Sequence, residues 1–234
     1  MKIHFNFVLF SGLLLFELLI LSNTSANCQT IDSPNYALRS HETLRLEKLV
    51  QNDTATIFYL SITNQIASGS FCASKHIFVG LPTGKKIWLK QSSGIPVCPQ
   101  TYQFRHIGEK LAFVLIFPLV EKGTKWLDLV EQCDDACFSI RGIVSDVHLN
   151  NQLDKGYACI DEENYRKALE VFEPLAGKYG NSALAGSIYY NLIYIYNKLN
   201  DPDHLNFWYD KLSSSNIRDK SIFLQNLEQA GIRK

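Results

Sequence analysis

The sequence predicts an α+β protein of two modules, an antiparallel β-sandwich followed by helical hairpins. Three observations carry that expectation. From Thr43 to Val144, short β-branched and aromatic runs recur between turn residues. No helical period long enough for a crossover helix separates them, which argues against a parallel sheet. After Asp146 the apolar period changes from two to about 3.6 and stays there. These changes of texture divide the chain into a signal peptide at 1–26, a linker at 27–40, a β-sandwich at 41–145 and an α-helical module at 146–234.

The first segment opens on Lys2, runs through the apolar stretch Phe5–Leu21 and ends on two small residues, Thr24 and Ala26. That order is an export signal cleaved after Ala26. His4, Asn6, Ser11, Gly12 and Glu17 interrupt the stretch too often for a spanning helix, so no membrane span is expected after cleavage. A lipid anchor on Cys28 fits poorly with Asn27 and Ser25 before it. The expected location is periplasmic or extracellular. Lys and Arg together number 23, as do Asp and Glu. Lys2 and Glu17 leave together, so the mature chain stays neutral. Without a basic tract, neither nucleic acid nor an anionic membrane is indicated as a ligand.

All six cysteines lie beyond the signal, where disulfides persist. Six cysteines allow 15 pairings. Cys133 and Cys137 flank a short polar turn and form the first expected pair. Cys72 and Cys98, at strand ends, form the second, which leaves Cys28 and Cys159 unpaired.

Asp32 to Ser40 is polar, contains Pro34 and shows no period, as a linker does. The strands then follow in order: a run around Leu44 and Leu46, Thr54–Thr63, His76–Val79, Lys86–Lys90, Thr101–Ile107, Lys110–Leu119, Trp126–Val130 and Phe138–Val144. In the strongest of them Leu111, Phe113, Leu115 and Phe117 face one way, and Ala112, Val114 and Ile116 the other. Apolar character on both sides predicts a central strand. Short turn-like separators favour two antiparallel sheets packed face to face.

Cys72, Trp88 and Cys133 fall at spacings that resemble the immunoglobulin disulfide packed on a tryptophan. Cys133 lies in an acidic turn, however, and Glu131 stands where a corner tyrosine belongs. The expectation is therefore an immunoglobulin-like sandwich without that disulfide. The 41–145 region is also similar to β-sandwich modules of unassigned function in exported Bacteroidota proteins. The likeness rests on Gly108-Glu109-x-Leu111-x-Phe113-x-Leu115-x-Phe117-Pro118-Leu119 and on Leu127-Asp128-Leu129-Val130-Glu131. It implies no activity.

Among the helices, Leu149–Ile160 and Asn164–Tyr179 form a first pair around Asp161-Glu162-Glu163. Gly156, Asn164-Tyr165-Arg166-Lys167-Ala168, Phe172 and Leu175 stand at the spacing of a tetratricopeptide hairpin, and the chain resembles that family from Leu149 to about Ser214. A second unit begins near Gly186, with Leu192, Tyr196, Leu205, Tyr209 and Leu212 in equivalent places. Ile193 and Leu205 depart from the family's small residues. Ile217–Ile232 offers Phe223, Leu224, Leu227 and Ala230 on one face, as a capping helix does. Two repeats are few for a stable stack, so the sandwich, the last helix or self-association through the repeat end must cover the exposed faces.

In that family the first helix of each pair lines a concave groove. The resemblance therefore implies a protein-binding groove at Asn150, Leu153, Tyr157, Ser187, Tyr190, Tyr194 and Asn197. Its partner would be a protein or peptide of the cell envelope, and the protein an exported, non-enzymatic adaptor or scaffold. The alternative is a carbohydrate- or cell-surface-binding sandwich that uses Trp88, Tyr102 or Trp126, with the helices as a brace. An enzyme acting on an envelope component comes third.

Chemistry finds little foothold. His41, His76, His106, His148 and His204 are scattered, with no nucleophile elbow and no His-Glu pair on a helix. The acidic turn Glu131–Cys137 lacks the spacing of a calcium loop. Cys72, His76, Cys133 and Cys137 are looser than a zinc signature. Gly80–Lys86 reads as a hairpin turn rather than a phosphate loop. Asn52-Asp53-Thr54 spells a glycosylation sequon without other support. No catalytic residue, cofactor or metal is expected.

Overall fold

The structure is a computed structural model that describes residues 28–134 and 136–234. The signal-peptide reading of residues 1–26 lies outside the described residues. A sheet-rich region comes first and five helices follow.

One sheet holds β1 (Gln29–Asp32), β3 (Leu44–Gln51), β4 (Ala55–Thr63), β10 (Lys110–Pro118) and β8 (Gln91–Ser93), in that order and all antiparallel. The second holds β2 (Leu38–Arg39), β12 (Ser139–Val144), β11 (Trp126–Glu131), β6 (Ile77–Gly80) and β7 (Lys86–Trp88). A small third sheet pairs β5 (Ser70–Phe71) with β9 (Tyr102–Gln103). Alternation aims Phe58, Leu60, Phe113, Leu115 and Phe117 from the first sheet at Ile77, Val79, Leu127, Leu129 and Ile140 from the second. Phe58 meets Phe117 edge-on at 5.4 Å, and Phe113 meets Phe138 at 6.4 Å. A bulge between Leu46 and Lys48 inserts one residue, which is why Leu46 and Leu49 are both buried although three apart.

Two expectations are corrected. Residues 28–40 are built into the fold rather than forming a linker: β1 pairs with β3, β2 pairs with β12, and Ile31 and Pro34 are buried. Their order comes from strand partners far along the chain, which a local reading does not contain. The strong strand β10 is central as expected, with β4 on one side and β8 on the other. Lys86–Lys90 is also divided, since the chain leaves the second sheet after Trp88 and enters the first at Gln91.

The helices are α1 (Val147–Asp161), α2 (Tyr165–Tyr179), α3 (Ala185–Lys198), α4 (Pro202–Ser214) and α5 (Lys220–Gln229). Asp146 caps α1 by accepting the Leu149 N–H at 2.7 Å, and Asp201 caps α4 through His204. Nine residues of α3 are buried, and it forms the hub against α2, α4 and α5. α5 covers one end of the stack through Phe223. The second sheet covers the other, where Trp126 meets Tyr179 edge-on at 5.9 Å. Cys72–Cys98 and Cys133–Cys137 are disulfides, while Cys28 and Cys159 are free. On loop closure alone the first bridge contributes about 3–4 kcal/mol and the second about 2.

Helical close approach gives a test with opposite signs. A Cβ on Gly186 would lie 2.2 Å from the buried Phe223 ring, whereas one on Gly177 would meet nothing within 4 Å. Overpacking costs about 1–3 kcal/mol, and alanine in a helix returns up to about 1 kcal/mol over glycine. Chemical denaturation is expected to show Gly186→Ala destabilised and Gly177→Ala slightly stabilised.

Candidate functional site

The face of α1 carries Asn150, Leu153 and Tyr157. Asn150 and Leu153 are 3 % and 4 % exposed, and the chain itself covers them. Asn150 Oδ1 accepts the backbone N–H of Asn35 at 2.8 Å and its Nδ2 at 3.0 Å. Asp154 completes the grip, with Oδ1 accepting from Asn35 Nδ2 at 2.7 Å and Oδ2 from Asn150 Nδ2 at 2.9 Å. Gln29 Nε2 adds a bond to the Ser145 carbonyl at 2.5 Å. The segment before β2 thus forms a strap, held by the helix face expected to receive a partner. Beside it, Ser33–Tyr36, Glu47, Lys110 and Tyr157 line a shallow cavity.

Tyr157 stands at the edge of the occupied part. Its ring meets Phe172 at 5.5 Å, and its hydroxyl accepts from Asn191 Nδ2 at 3.4 Å. Burial raises the pKa of that hydroxyl. Asn191 also donates to the Ser187 carbonyl at 2.7 Å. No sequence motif singled it out; the only sign is an amide inside an otherwise apolar helix run.

On α3, Tyr190 and Tyr194 lie one turn apart and half-buried, with Lys198 over the Tyr194 ring at 5.3 Å. Tyr165 of α2 lies on the side of Tyr194 and is half-buried. Burial raises the phenols of Tyr165 and Tyr190. Ser187 donates back to the Leu184 carbonyl at 2.9 Å, and Asn197 is exposed at the end of the row. The predicted set therefore divides: among the described residues Asn150 and Leu153 are buried beneath the chain itself, Tyr157, Ser187, Tyr190 and Tyr194 are half-buried, and Asn197 is exposed. Other aromatics are structural. Tyr189 packs on Trp208 at 5.3 Å, and Tyr196 donates to Glu173, which together with burial raises its hydroxyl strongly.

A second concavity of about 770 Å³ lies between the outer face of the second sheet and the α2–α3 and α4–α5 connections. Asp128 of β11 and Arg141 of β12 face Arg218 and Asp219 there. Arg218 pairs with Asp128, and Arg141 Nε lies 3.4 Å from Asp219. Sequence reading missed this cluster because its members come from three distant stretches.

The alternative aromatics separate as well. Trp126 is packed against Tyr179; Tyr102 lies against Phe104 and donates to Glu109 at 2.6 Å; Trp88 is exposed. Glu131 is buried and accepts the backbone N–H groups of Ser74 and Phe138, so it anchors the acidic turn. Cys72, Cys133 and Cys137 are all in disulfides and hold no thiolate for zinc. Asn52 Oδ1 accepts from Thr54 and Ala55 within the β3–β4 turn. Comparison with known proteins returns no matching family model, no similar curated protein and no similar solved structure.

Two predictions follow from the strap and its cavity. Asn150→Ala removes the acceptor of the Asn35 amides and is expected to cost about 1–3 kcal/mol. Hydrogen exchange should then quicken at 29–39 before the rest of the chain; uniform exchange would contradict the strap. Glu47 is held below the usual carboxylate range by hydrogen bonds from Lys110 and Ser61. A depressed carboxyl stabilises the fold above its unfolded value of about 4.3, and that contribution is lost as pH falls through the folded value. Urea midpoints should therefore fall less steeply on acidification below about pH 4 in Glu47→Gln than in the parent.

Proposed function

We propose that the protein is an exported, non-enzymatic adaptor that docks an extended protein or peptide segment of the cell envelope. The docking surface is the uncovered part of the helical groove, at Tyr157, Tyr165, Tyr190, Tyr194 and Asn197. One observation carries the reading: α1 already grips an extended segment of the same chain by its backbone N–H, through Asn150. Peptide recognition by a helical groove uses the same element, an amide side chain aimed at a main-chain group beside amphipathic rings. Half-buried tyrosines add contact area at little rotamer cost. In this reading the helices are tetratricopeptide-like hairpins, and the paired sheets an immunoglobulin-like sandwich that braces them. The two disulfides fit an oxidising, exported environment.

The test is affinity capture from an envelope extract, comparing intact mature protein with a Tyr190→Ala, Tyr194→Ala double variant of unchanged circular dichroism. Cross-linking then maps the retained partner. A protein retained by the parent, cross-linked near α3 and lost from the variant is expected. Equal retention by both, or none by either, would sink the adaptor reading.

A further inference from the structure

The cleft between the second sheet and the helix connections is flanked by lysines that have no carboxylate to answer them. Lys211 of α4 lines it, with its ammonium held 4.9 Å from the centre of the Trp208 ring and 5.6 Å from that of Tyr189. On the sheet side, Lys86 of β7 is the register partner of Gly80, which belongs to the cleft wall, and its ammonium lies 4.3 Å from the centre of the Phe78 ring. Lys178 stands in the last turn of α2, just before the wall residue Gly180, and sits over Tyr179 at 5.4 Å. Lys220 opens α5 and donates to the carbonyls of Ser213 and Ser215 at 2.8 and 2.6 Å. Among the described residues, none of these four lysines is in an ion pair. Ring faces and carbonyls orient an ammonium and leave its charge in place.

The carboxylates nearby are already matched. Asp128 and Asp219 face Arg141 and Arg218, Glu121 pairs with Lys85, and Asp210 with Lys234. Two arginines and four lysines therefore stand against two carboxylates around the cleft, in a chain whose formal net charge is zero. A concave surface of one sign focuses its field on the space it encloses, here about 770 Å³. An anion is the ligand that suits it.

The rings and the amides decide which anion. Lysine ammoniums lie over Phe78, Tyr179, Tyr189 and Trp208, so the ring faces nearest the cleft are taken by lysine rather than open to a base or a sugar ring. Asn181 and Asn216 line the cleft with amide side chains that have no partner among the described residues. An amide both donates and accepts, as a peptide main chain does. A peptide rich in glutamate or aspartate supplies both sets, main-chain groups for the asparagines and carboxylates for the lysines.

We propose that this cleft binds an acidic peptide segment, with Lys86, Lys178 and Lys211 meeting its carboxylates and Asn181 and Asn216 its main chain. The lysines come from β7, α2 and α4, which is why no basic tract marks them in the sequence. The cleft shares no residue with the tyrosine groove, so it stands or falls independently of the docking reading.

The test is calorimetric titration of the intact mature protein with acetylated, amidated hexaglutamate at about 50 mM salt, where screening is weak. Hexaglutamine of the same length and a charge-matched chondroitin sulfate oligosaccharide are the comparisons. Saturable binding of hexaglutamate is expected, with none of hexaglutamine and weaker binding of the saccharide. Lys86→Gln, Lys178→Gln and Lys211→Gln should each weaken it about two- to fivefold, the range of an exposed ion pair. The triple variant should weaken it about tenfold or more while its melting curve stays within a few degrees of the parent. Three results would overturn the proposal: no saturation by hexaglutamate, binding that the triple variant retains in full, or binding of the saccharide as tight as that of the peptide.

Discussion

Ile143 and Val144 are neighbours in β12 and point into different cores. Ile143 belongs to the core between the two sheets, Val144 to the core beneath the helices. Successive side chains on a strand face opposite ways, so a single strand serves both interiors. The rest of the architecture depends on that alternation. The register partner of Val144 is Trp126, which carries the same outer face onto Tyr179. α1 begins at Val147 directly after the strand, already capped by Asp146. The helices therefore have the sheet as one wall, and no flexible joint intervenes. Gly142 makes this possible. It adopts a left-handed φ of 62°, and a Cβ on it would sit 2.8 Å from that of Ala37 and 3.2 Å from Leu184. The irregular register there lets Ile140 and Ile143 both turn inward before Val144 turns out.

Around this seam the polar contacts position more than they stabilise. Exposed ion pairs are worth about 0–1 kcal/mol each, and the Arg218 side chain is 59 % exposed. The Asp128 side chain is only 15 % exposed, and it also accepts the Gly142 N–H at 2.8 Å, so its orientation is tied to the bulge. The strap works similarly on the other side, tying Asn35 to α1 through buried amides. Among the described residues, no buried side-chain nitrogen or oxygen lacks a partner. Apolar burial on both sides of one sheet does most of the joining. The polar groups select one arrangement of the joined parts.

The helices were legible because period is a local property: Gly156 and Phe172 stand where a hairpin requires them, and the Cβ missing from Gly156 would lie 2.7 Å from that ring. The long strands were legible for the same reason, with Phe113, Leu115 and Phe117 alternating. Residues 28–40 were not. Their strands are two and four residues long and take their order from β3 and β12. Which part of the α1 face stays open was not legible, because it depends on where a segment over 100 residues earlier returns. The Asp128–Arg218 cluster had no local signature, because charges on an outer strand and in a helix connection look solvated until the fold brings them together.

α3 carries both surfaces. Tyr189 lines the cleft and Tyr190 belongs to the groove side, adjacent residues on one helix packed against α2, α4 and α5. A helix with nine buried residues in a well-filled core does not shift to suit a ligand. Both surfaces are consequently preformed, and the cost of ordering a complex falls on the ligand. That favours a ligand which loses little freedom, as a segment that binds extended against fixed rings does. The strap satisfies the same condition. It is extended, anchored by β1 before Asn35 and by β2 after it, and it reaches α1 with its conformation already set.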